Sequence, residues 1–355
     1  MKKSIIALAV AGAFVAPSAM AEVTTYGLVQ AELSQSKPQG NGDSALDLVD
    51  NSNGRLGVKA SEDLGNGWKG LAKLEFKIDT VDNNVDASKC AVTNTVNDPN
   101  TTAAGVTVTS SCTASNTVSL GARETMVGLK GGAGQFEAGV LKQAYKYMGG
   151  VKYDAFVATT LEARGNGGML KAIQKQSLIG QGGFHFGAIG YENKFGPVKV
   201  RLTYSPQTDN GQMTAGAMYE ANGIEGFYAM TSTGKSMGGD DKVTSSKIGG
   251  AYKMGMHKIM LQLESGKYET TGSSSTEKVN YLAYHGKFGK TMFIFQYGTD
   301  KPEDDTKKLT YLALGARFSF SKQTYLYGGY KQTKAEDANE ANGNSVIAVG
   351  LTKKF

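Results

Sequence analysis

Three basic side chains placed at similar distances from tight turns are the first candidates for chemistry in this sequence. Arg55 and Lys73 flank the glycine-containing turn 63–67, and Arg123 stands at a similar distance from the turn 131–134. We therefore expect them at one level of a sheet, with Arg55 and Lys73 as near cross-strand neighbours. Such a group attracts anions if it lines a narrow aqueous passage. The alternative is that each is an ordinary solvated charge.

A second group of charges lies in the long polar segment from Gln143 to Gly183, which separates two strand-like sequences. A structureless loop of this length is uncommon inside a compact domain unless it has a function. Asp154, Glu162 and Arg164 are its candidate site residues, because acids set opposite a basic wall would create a transverse field. Local pairing of the two acids with Lys152 and Arg164 is the alternative. The segment as a whole carries more basic than acidic residues.

The elements that must position these charges are short strands in which apolar and polar residues alternate. Residues 68–79 place an apolar set on one face and a charged set on the other. We count sixteen such segments, from 23–34 to 344–355, with tight turns after the even-numbered strands and longer loops after the odd-numbered ones. No stretch is apolar for the eighteen or so residues that a membrane helix needs. The pattern predicts an all-β fold, a sixteen-stranded antiparallel transmembrane barrel.

The first residues are expected to be a signal peptide rather than part of this fold. Lys2 and Lys3 precede an apolar run, and Ala19-Met20-Ala21 provides a signal-peptidase site. The predicted organisation is therefore a signal peptide over 1–21 and one barrel domain over 22–355, with a constriction loop at about 143–183. Removing the leader lowers the formal net charge from +6 to +4. This balance is too mild to indicate a nucleic-acid partner.

The two cysteines, Cys90 and Cys112, lie in one polar loop. In an exported protein they favour a disulfide, with two free thiols as the alternative. The three scattered histidines and two cysteines are too few for a zinc site, and the sequence predicts no metal and no cofactor. No Ser-His-Asp, paired-carboxylate or phosphate-loop arrangement is present, so we expect no enzymatic activity.

Glu124 is an exception to the alternating pattern, because it is predicted on the apolar face of its strand beside Ala122 and Met126. A carboxylate facing lipid at mid-depth is unfavourable. A subunit interface would relieve that cost, and we therefore take Glu124 as support for an oligomer. A position near the lipid headgroups is the alternative.

Five segments in order along the chain carry a family likeness. They are Tyr26-Gly27, the run 54–59, the run 62–67, the run 123–131, and the final segment 346–351 that leads to Phe355. With these segments the chain resembles the Gram-negative general porins, and among them the neisserial-type porins of β-proteobacteria. The third basic wall position of that family falls near Phe184 or His185 here.

The resemblance implies a homotrimer in the outer membrane, in contact with membrane lipid and lipopolysaccharide. It implies that the third external loop folds inward to form an eyelet, and that Phe355 belongs to the signal read by the barrel-assembly machinery. The implied function is diffusion of small hydrophilic solutes and inorganic ions, and the cationic loop favours a mild anion preference. The alternatives are a substrate-specific channel, a non-conducting adhesin that uses the loop 81–116, and a barrel enzyme.

Overall fold

The computed structural model describes residues 21–39, 42–51, 53–81, 92–96, 106–110, 121–163, 184–206, 211–233, 242–270, 272–302, 308–335 and 343–355. These ranges contain nineteen strands and two single-turn helices. The strands are β1 Glu22–Pro38, β2 Ala45–Val49, β3 Arg55–Gly65, β4 Trp68–Lys77, β5 Val92–Val96, β6 Val106–Ser110, β7 Gly121–Gly131, β8 Gly134–Lys142, β9 Phe184–Phe195, β10 Val198–Ser205, β11 Gln212–Ala221, β12 Ile224–Thr233, β13 Lys242–Met254, β14 His257–Thr270, β15 Ser273–Phe288, β16 Thr291–Pro302, β17 Leu309–Ser319, β18 Thr324–Ala335 and β19 Asn344–Lys354. The helical turns are α1 Ala144–Tyr147 and α2 Gly150–Tyr153.

Sixteen of the described strands close into one antiparallel barrel, as the sequence predicted. Closure is made by β1, whose first half pairs with β3 up to Leu28↔Arg55 and whose second half pairs with β19 from Leu28↔Lys354 onward. The three remaining strands, β2, β5 and β6, were not predicted. Each has five residues and lies in a segment that reads as a loop; β2 pairs with the outer half of β1, and β5 pairs with β6.

The two faces of the wall have opposite character. In β14, the side chains of Ile259, Leu261 and Leu263 are exposed on the outside, whereas Met260 and Gln262 are fully buried on the inside. A lipid bilayer requires an apolar outer surface, and a closed sheet leaves no unpaired backbone edge within it. The outward apolar face therefore fits a barrel that spans a membrane. No helix within the described ranges is long and apolar enough to cross a membrane.

Short turns gather at one end of the barrel. Six of the seven connections at that end have two residues, and the seventh, between β17 and β18, has four. In one of these turns, φ is 51° at Asn66 and 76° at Gly67; in another, it is 52° at Asn222 and 79° at Gly223. Left-handed φ at both central residues defines a type I′ turn, whose twist matches that of the flanking strands. This end is the periplasmic end in outer-membrane barrels.

A β-bulge changes the direction of Glu124. Leu74 pairs with Thr125 and Phe76 pairs with Ala122, so that Glu75 stands opposite two residues of β7, Arg123 and Glu124. An inserted residue breaks the strict alternation of faces. Consequently both Arg123 and Glu124 bond to inward-facing side chains of β4, and Glu124 is only 6% exposed. The prediction that Glu124 faces lipid is wrong, and Glu124 therefore gives no support for an oligomer.

An apolar core lies inside the barrel, between the wall and the segment that follows β8. The large side chains of this segment are buried: Tyr145, Tyr153, Phe156 and Leu161. They pack in one cluster with inward side chains of β11 to β19, among them Met218, Phe227, Met260, Tyr281, Ala283, Tyr311 and Ala313. Residues 143–163 therefore lie against the inner face of the wall.

Candidate functional site

The inner wall formed by β3, β4 and β7 carries the three predicted cations. Arg55 donates from Nε to the backbone oxygen of Asn53 at 3.2 Å and from Nη2 to the Asn53 side-chain oxygen at 2.6 Å. Its cross-strand neighbour is Lys77, whereas Lys73 pairs in register with Lys59. The expectation that Arg55 and Lys73 are near neighbours is wrong, because the register places them four residues apart along the hairpin.

Arg123 is held by a carboxylate that the sequence analysis did not single out. Arg123 Nε donates to Glu75 Oε1 at 2.8 Å, and the Tyr26 hydroxyl donates to Glu75 Oε2 at 2.8 Å. The guanidinium also lies 5.5 Å from the centre of the Phe184 ring. Phe184 is one of the two residues near which the resemblance places a third basic wall position, and here it packs against Arg123 instead of adding charge.

Glu124 joins two lysines on the same wall. Its carboxylate accepts from Lys73 and, at 2.9 Å, from Lys142. Lys142 ends β8 and its ammonium lies 5.3 Å from the Tyr147 ring in the segment opposite. The group of charges joined at this level of the wall thus contains four cations, Arg55, Lys73, Arg123 and Lys142 of β8, and two carboxylates, Glu75 and Glu124. The presence of more cations than acids gives this side of the lumen a positive potential.

Asp154 is buried and serves the internal structure of the loop. It is 2% exposed and accepts hydrogen bonds from the backbone N–H groups of Phe156 at 2.8 Å and Ala163 at 2.9 Å. The side-chain amide of Gln296, on β16, donates to it at 2.9 Å. Lys152, which was an expected local partner, forms ion pairs with Glu220 at 2.6 Å and Glu225 at 3.2 Å. Asp154 thus connects the loop to the wall.

Glu162 is the predicted loop acid that remains partly exposed. Its carboxylate accepts a hydrogen bond from the backbone N–H of Ala158. Arg164, the other predicted residue of this group, lies outside the described residues, as do Cys90, Cys112 and residues 1–20 of the predicted signal peptide. The described surface of the loop otherwise presents mostly small or neutral side chains, which include Val151, Ala155, Val157, Thr159 and Thr160.

Hydrogen bonds from the wall fix the backbone of the loop at several points. Tyr311 donates to the carbonyl of Leu161 at 2.7 Å, and Gln30 donates to the carbonyl of Ala158 at 2.7 Å. The Tyr145 hydroxyl donates to Glu264 at 3.3 Å. Burial, followed by the charge of Glu264, raises the pKa of Tyr145, so that this hydroxyl stays a neutral donor.

Two glycines make room for the apolar side chains of the loop. A Cβ atom on Gly315 would lie 2.8 Å from the Phe156 ring, and one on Gly329 would lie 3.1 Å from a methyl group of Leu161. The absence of side chains at these inward positions lets the loop approach the wall closely. Small and aromatic residues at inward positions were the signal in the sequence that could have indicated a covered wall.

The last residue, Phe355, completes the ladder of the closing strand. Its backbone N–H donates to Gly27 at 3.1 Å, and the backbone N–H of Gly27 donates to the oxygen of Phe355 at 2.9 Å. A Cβ atom on Gly27 would collide with the Phe355 ring. The chain end therefore packs against the first strand at the closure of the barrel. Its expected part in assembly stays a prediction.

Known proteins match this chain in sequence and in fold. The profile of the Gram-negative porins matches residues 7–338. Outer membrane porin protein 32 of Delftia acidovorans is 25% identical over 361 residues, which cover 96% of this chain and 91% of that protein. Major outer membrane protein P.IB of Neisseria lactamica is 23% identical over 388 residues, which cover both chains in full. The structure of the anion-selective porin from Comamonas acidovorans superposes with a TM-score of 0.74 at 20% identity, over 94% of this chain and all of that one. From the closed barrel, its outward apolar face and the family profile that spans most of the sequence, we conclude that the chain belongs to the Gram-negative porins of the outer membrane.

Proposed function

We propose that this porin is a general diffusion channel for small hydrophilic solutes and ions, narrowed between the basic wall and the loop at about 143–183, with a mild anion preference. The observation that carries the proposal is the charge of the wall, where Arg55, Lys73, Arg123 and Lys142 outnumber Glu75 and Glu124. Charges in a narrow passage between walls of low dielectric constant act strongly on passing ions.

The preference is mild because most of these cations are already paired. Lys73 and Lys142 share Glu124, and Arg123 bonds to Glu75. Arg55 differs, since the hydrogen bonds of its guanidinium among the described residues go to the neutral Asn53. Arg55 therefore supplies the largest share of uncompensated charge. In the described part of the loop, Asp154 is buried in the interior and Glu162 is the acid that remains partly exposed.

The solved structure that superposes on this chain and is named an anion-selective porin agrees with the same direction of preference. Its 20% identity supports a shared fold, so the selectivity of this chain rests on its own wall residues. The roles of Arg55, Lys73 and Arg123 in the constriction are part of the proposal, and so is a disulfide between Cys90 and Cys112.

We further propose that the functional unit is a homotrimer, assembled by the barrel-assembly machinery and surrounded by lipid and lipopolysaccharide. A shallow apolar depression of about 970 Å³ on the outer face, from β3 to β11, supports subunit packing. Small residues form its floor, namely Ala60, Gly70, Ala72 and Ala138. Small side chains at matching positions let two walls approach closely.

Single-channel recording of the refolded protein in a planar bilayer tests the proposal. We expect stepwise conductance that closes in thirds, and a reversal potential of anion sign across a potassium chloride gradient. A cation-signed potential would contradict the role of the basic wall. Saturable flux of one solute would favour a substrate-specific channel, and folded barrels without conductance would favour an adhesin.

A further inference from the structure

A second group of basic side chains lies on the inner face, at the end of the barrel with the short turns. Lys258 is the second residue of β14, and it pairs in register with His285 of β15. Arg317 stands two residues before the end of β17 and pairs with Met292. His285 also pairs in register with Ile294 of β16, two residues from the Met292 that stands opposite Arg317. The group faces the lumen, because inward and outward residues alternate along these strands.

Arg317 is the centre of this group, and Tyr325 supports it. The guanidinium carbon lies 5.1 Å from the Tyr325 ring centre, and Lys354 Nζ lies 5.7 Å from the same ring. Nη2 of Arg317 makes a weak contact with the sulfur of Met292 at 3.9 Å. Stacking on one ring brings two cations together at the mouth of the lumen.

Nitrogen atoms of this group lack hydrogen-bond partners. Arg317 Nε and His285 Nε2 are both buried and accept or donate no hydrogen bond within the described structure. Buried polar groups are nearly always paired, so unsatisfied donors need an explanation such as an ion. Arg201 shows the usual alternative for an inward arginine, since it forms ion pairs with Glu137 at 2.6 Å and Glu192 at 2.8 Å.

Nearby carboxylates are already engaged elsewhere. Glu225 forms ion pairs with Lys258 at 2.8 Å and Lys152 at 3.2 Å. Among the described residues, no carboxylate forms an ion pair with Arg317. Within the described part of the chain, the positive charge of Arg317 is thus left without a carboxylate ion-pair partner.

The position of the group relative to the loop gives it a role in transport. Gly315, which receives the Phe156 ring, lies two residues from Arg317 on the same inward face. The group therefore lies directly beyond the loop on the side of the short turns, on the wall that carries β14 to β19. Arg55 of β3 and Lys354 of β19 both pair in register with Leu28 of β1, whereas Arg317 lies two strands beyond Lys354, on β17.

We propose that Arg317, with His285 and Lys354, forms a binding station for small oxyanions at the periplasmic mouth of the lumen. The inference rests on the chain forming an open pore. A guanidinium presents parallel N–H donors that match the oxygens of a phosphate or carboxylate. An oxyanion that accepts from Arg317 satisfies its orphan Nε donor and balances the local positive charge, and a neutral His285 can donate to such an anion from Nε2.

The test compares current block by inorganic phosphate in the wild type and in Arg317→Gln. Phosphate is added in turn to each side of single inserted channels in a constant chloride background. We expect phosphate added to one side of the bilayer to block the current at a lower concentration than phosphate added to the other side. In Arg317→Gln that side should need roughly tenfold more phosphate, which corresponds to the loss of one hydrogen bond to a charged group.

Two further variants keep the test decisive. Arg317→Lys retains the charge without the planar donors and should give intermediate block. Lys322→Gln removes a cation from the exposed turn between β17 and β18, and phosphate should block this variant at the same concentration as the wild type. Resistance of each barrel to unfolding in detergent at room temperature confirms folding.

The outcomes separate this inference from the proposed function. Equal phosphate block in the wild type and Arg317→Gln overturns the station, while an anion-signed reversal potential in the same recordings leaves the diffusion pore standing. Equal block from both sides overturns the station as well. Folded wild-type barrels without conductance overturn the pore and the station together.

Discussion

Two parts of the same inner wall are built from different residues. The wall of β3, β4 and β7 faces the lumen with charges, which are Arg55, Lys73, Glu75, Arg123 and Glu124. The part of the wall from β11 to β19 that meets the loop presents mainly apolar and small residues, which include Met218, Met260, Tyr281, Ala283, Gly315 and Gly329. A few charged side chains are also buried on these strands, among them Lys247, Glu264 and Asp300. Both belong to one barrel, and both lie on the face opposite the lipid.

The difference shows that an inward position in a barrel has no fixed polarity. On the wall of β3, β4 and β7, charged side chains bond to one another, and the cations stay partly exposed. Where the wall meets the loop 143–163, it forms a packed interior like that of a soluble protein. The wall from β11 to β19, called the covered wall, holds the loop in place. The wall of β3, β4 and β7, called the bare wall, acts on ions. Changes on the covered wall should therefore alter pore size and noise, and changes on the bare wall should alter ion selectivity.

The largest effect is expected from Phe156→Ala on the covered side. Phe156 is 1% exposed and fills the space above Gly315, so truncation should remove roughly 3–5 kcal/mol of packing free energy. The loosened loop should give a larger and noisier single-channel conductance, and trypsin should cleave after Lys152. Val157→Ala, at a partly exposed neighbour, is the matched control. Wild-type conductance together with protease resistance in Phe156→Ala would show that the covered wall does not hold the loop.

Asp154→Asn tests the polar anchor of the same loop. The change replaces one accepting oxygen with a donor that faces N–H groups, at a cost of roughly 2 kcal/mol. We expect faster hydrogen exchange at the backbone amides of Phe156 and Ala163, which donate to Asp154. The amide of Met148, which donates to Ala144 in α1, is the internal reference. Unchanged protection at both anchored amides would assign the anchoring to apolar packing alone.

Arg55→Ala tests the bare side. Among the described residues, the guanidinium of Arg55 hydrogen-bonds to Asn53 and to no carboxylate, so its removal should lower the ratio of anion to cation permeability by roughly twofold. The reversal potential in a salt gradient measures this ratio. Lys59→Ala, four residues nearer the turn on the same face, is the control and should change it less. An equal effect of the two variants would mean that selectivity follows the total charge of the lumen rather than the charge at the level of Arg55.

Glu124→Gln should produce the smallest effect, with the opposite sign. It frees Lys73 and Lys142 from their shared carboxylate and should raise the anion preference by less than twofold, because both lysines are partly exposed and screened. Glu62→Gln, on the outward face of β3, is expected to leave the reversal potential unchanged. A lower anion preference in Glu124→Gln would mean that the carboxylate holds these lysines in the passage instead of neutralising them.

The sequence by itself determined the strands, the turns and the family. Alternation along each strand and the Asn-Gly turns are local features, and for this reason all sixteen predicted barrel strands and the ends with short turns are confirmed. The resemblance to Gram-negative porins, based on five short segments, is confirmed by the family profile over residues 7–338. The outward apolar face followed from the same alternation.

Only the tertiary structure decided how the charges are used. A bulge opposite Glu75 turns Glu124 inward, and the hairpin register pairs Arg55 with Lys77 instead of Lys73. The burial of Asp154 depends on Gln296, which is 142 positions away in the chain. Contacts across such distances depend on how the closed barrel brings a loop against a far wall. Alternation within one strand carries no information about them, because it records which side of the sheet a residue faces and not what it meets there.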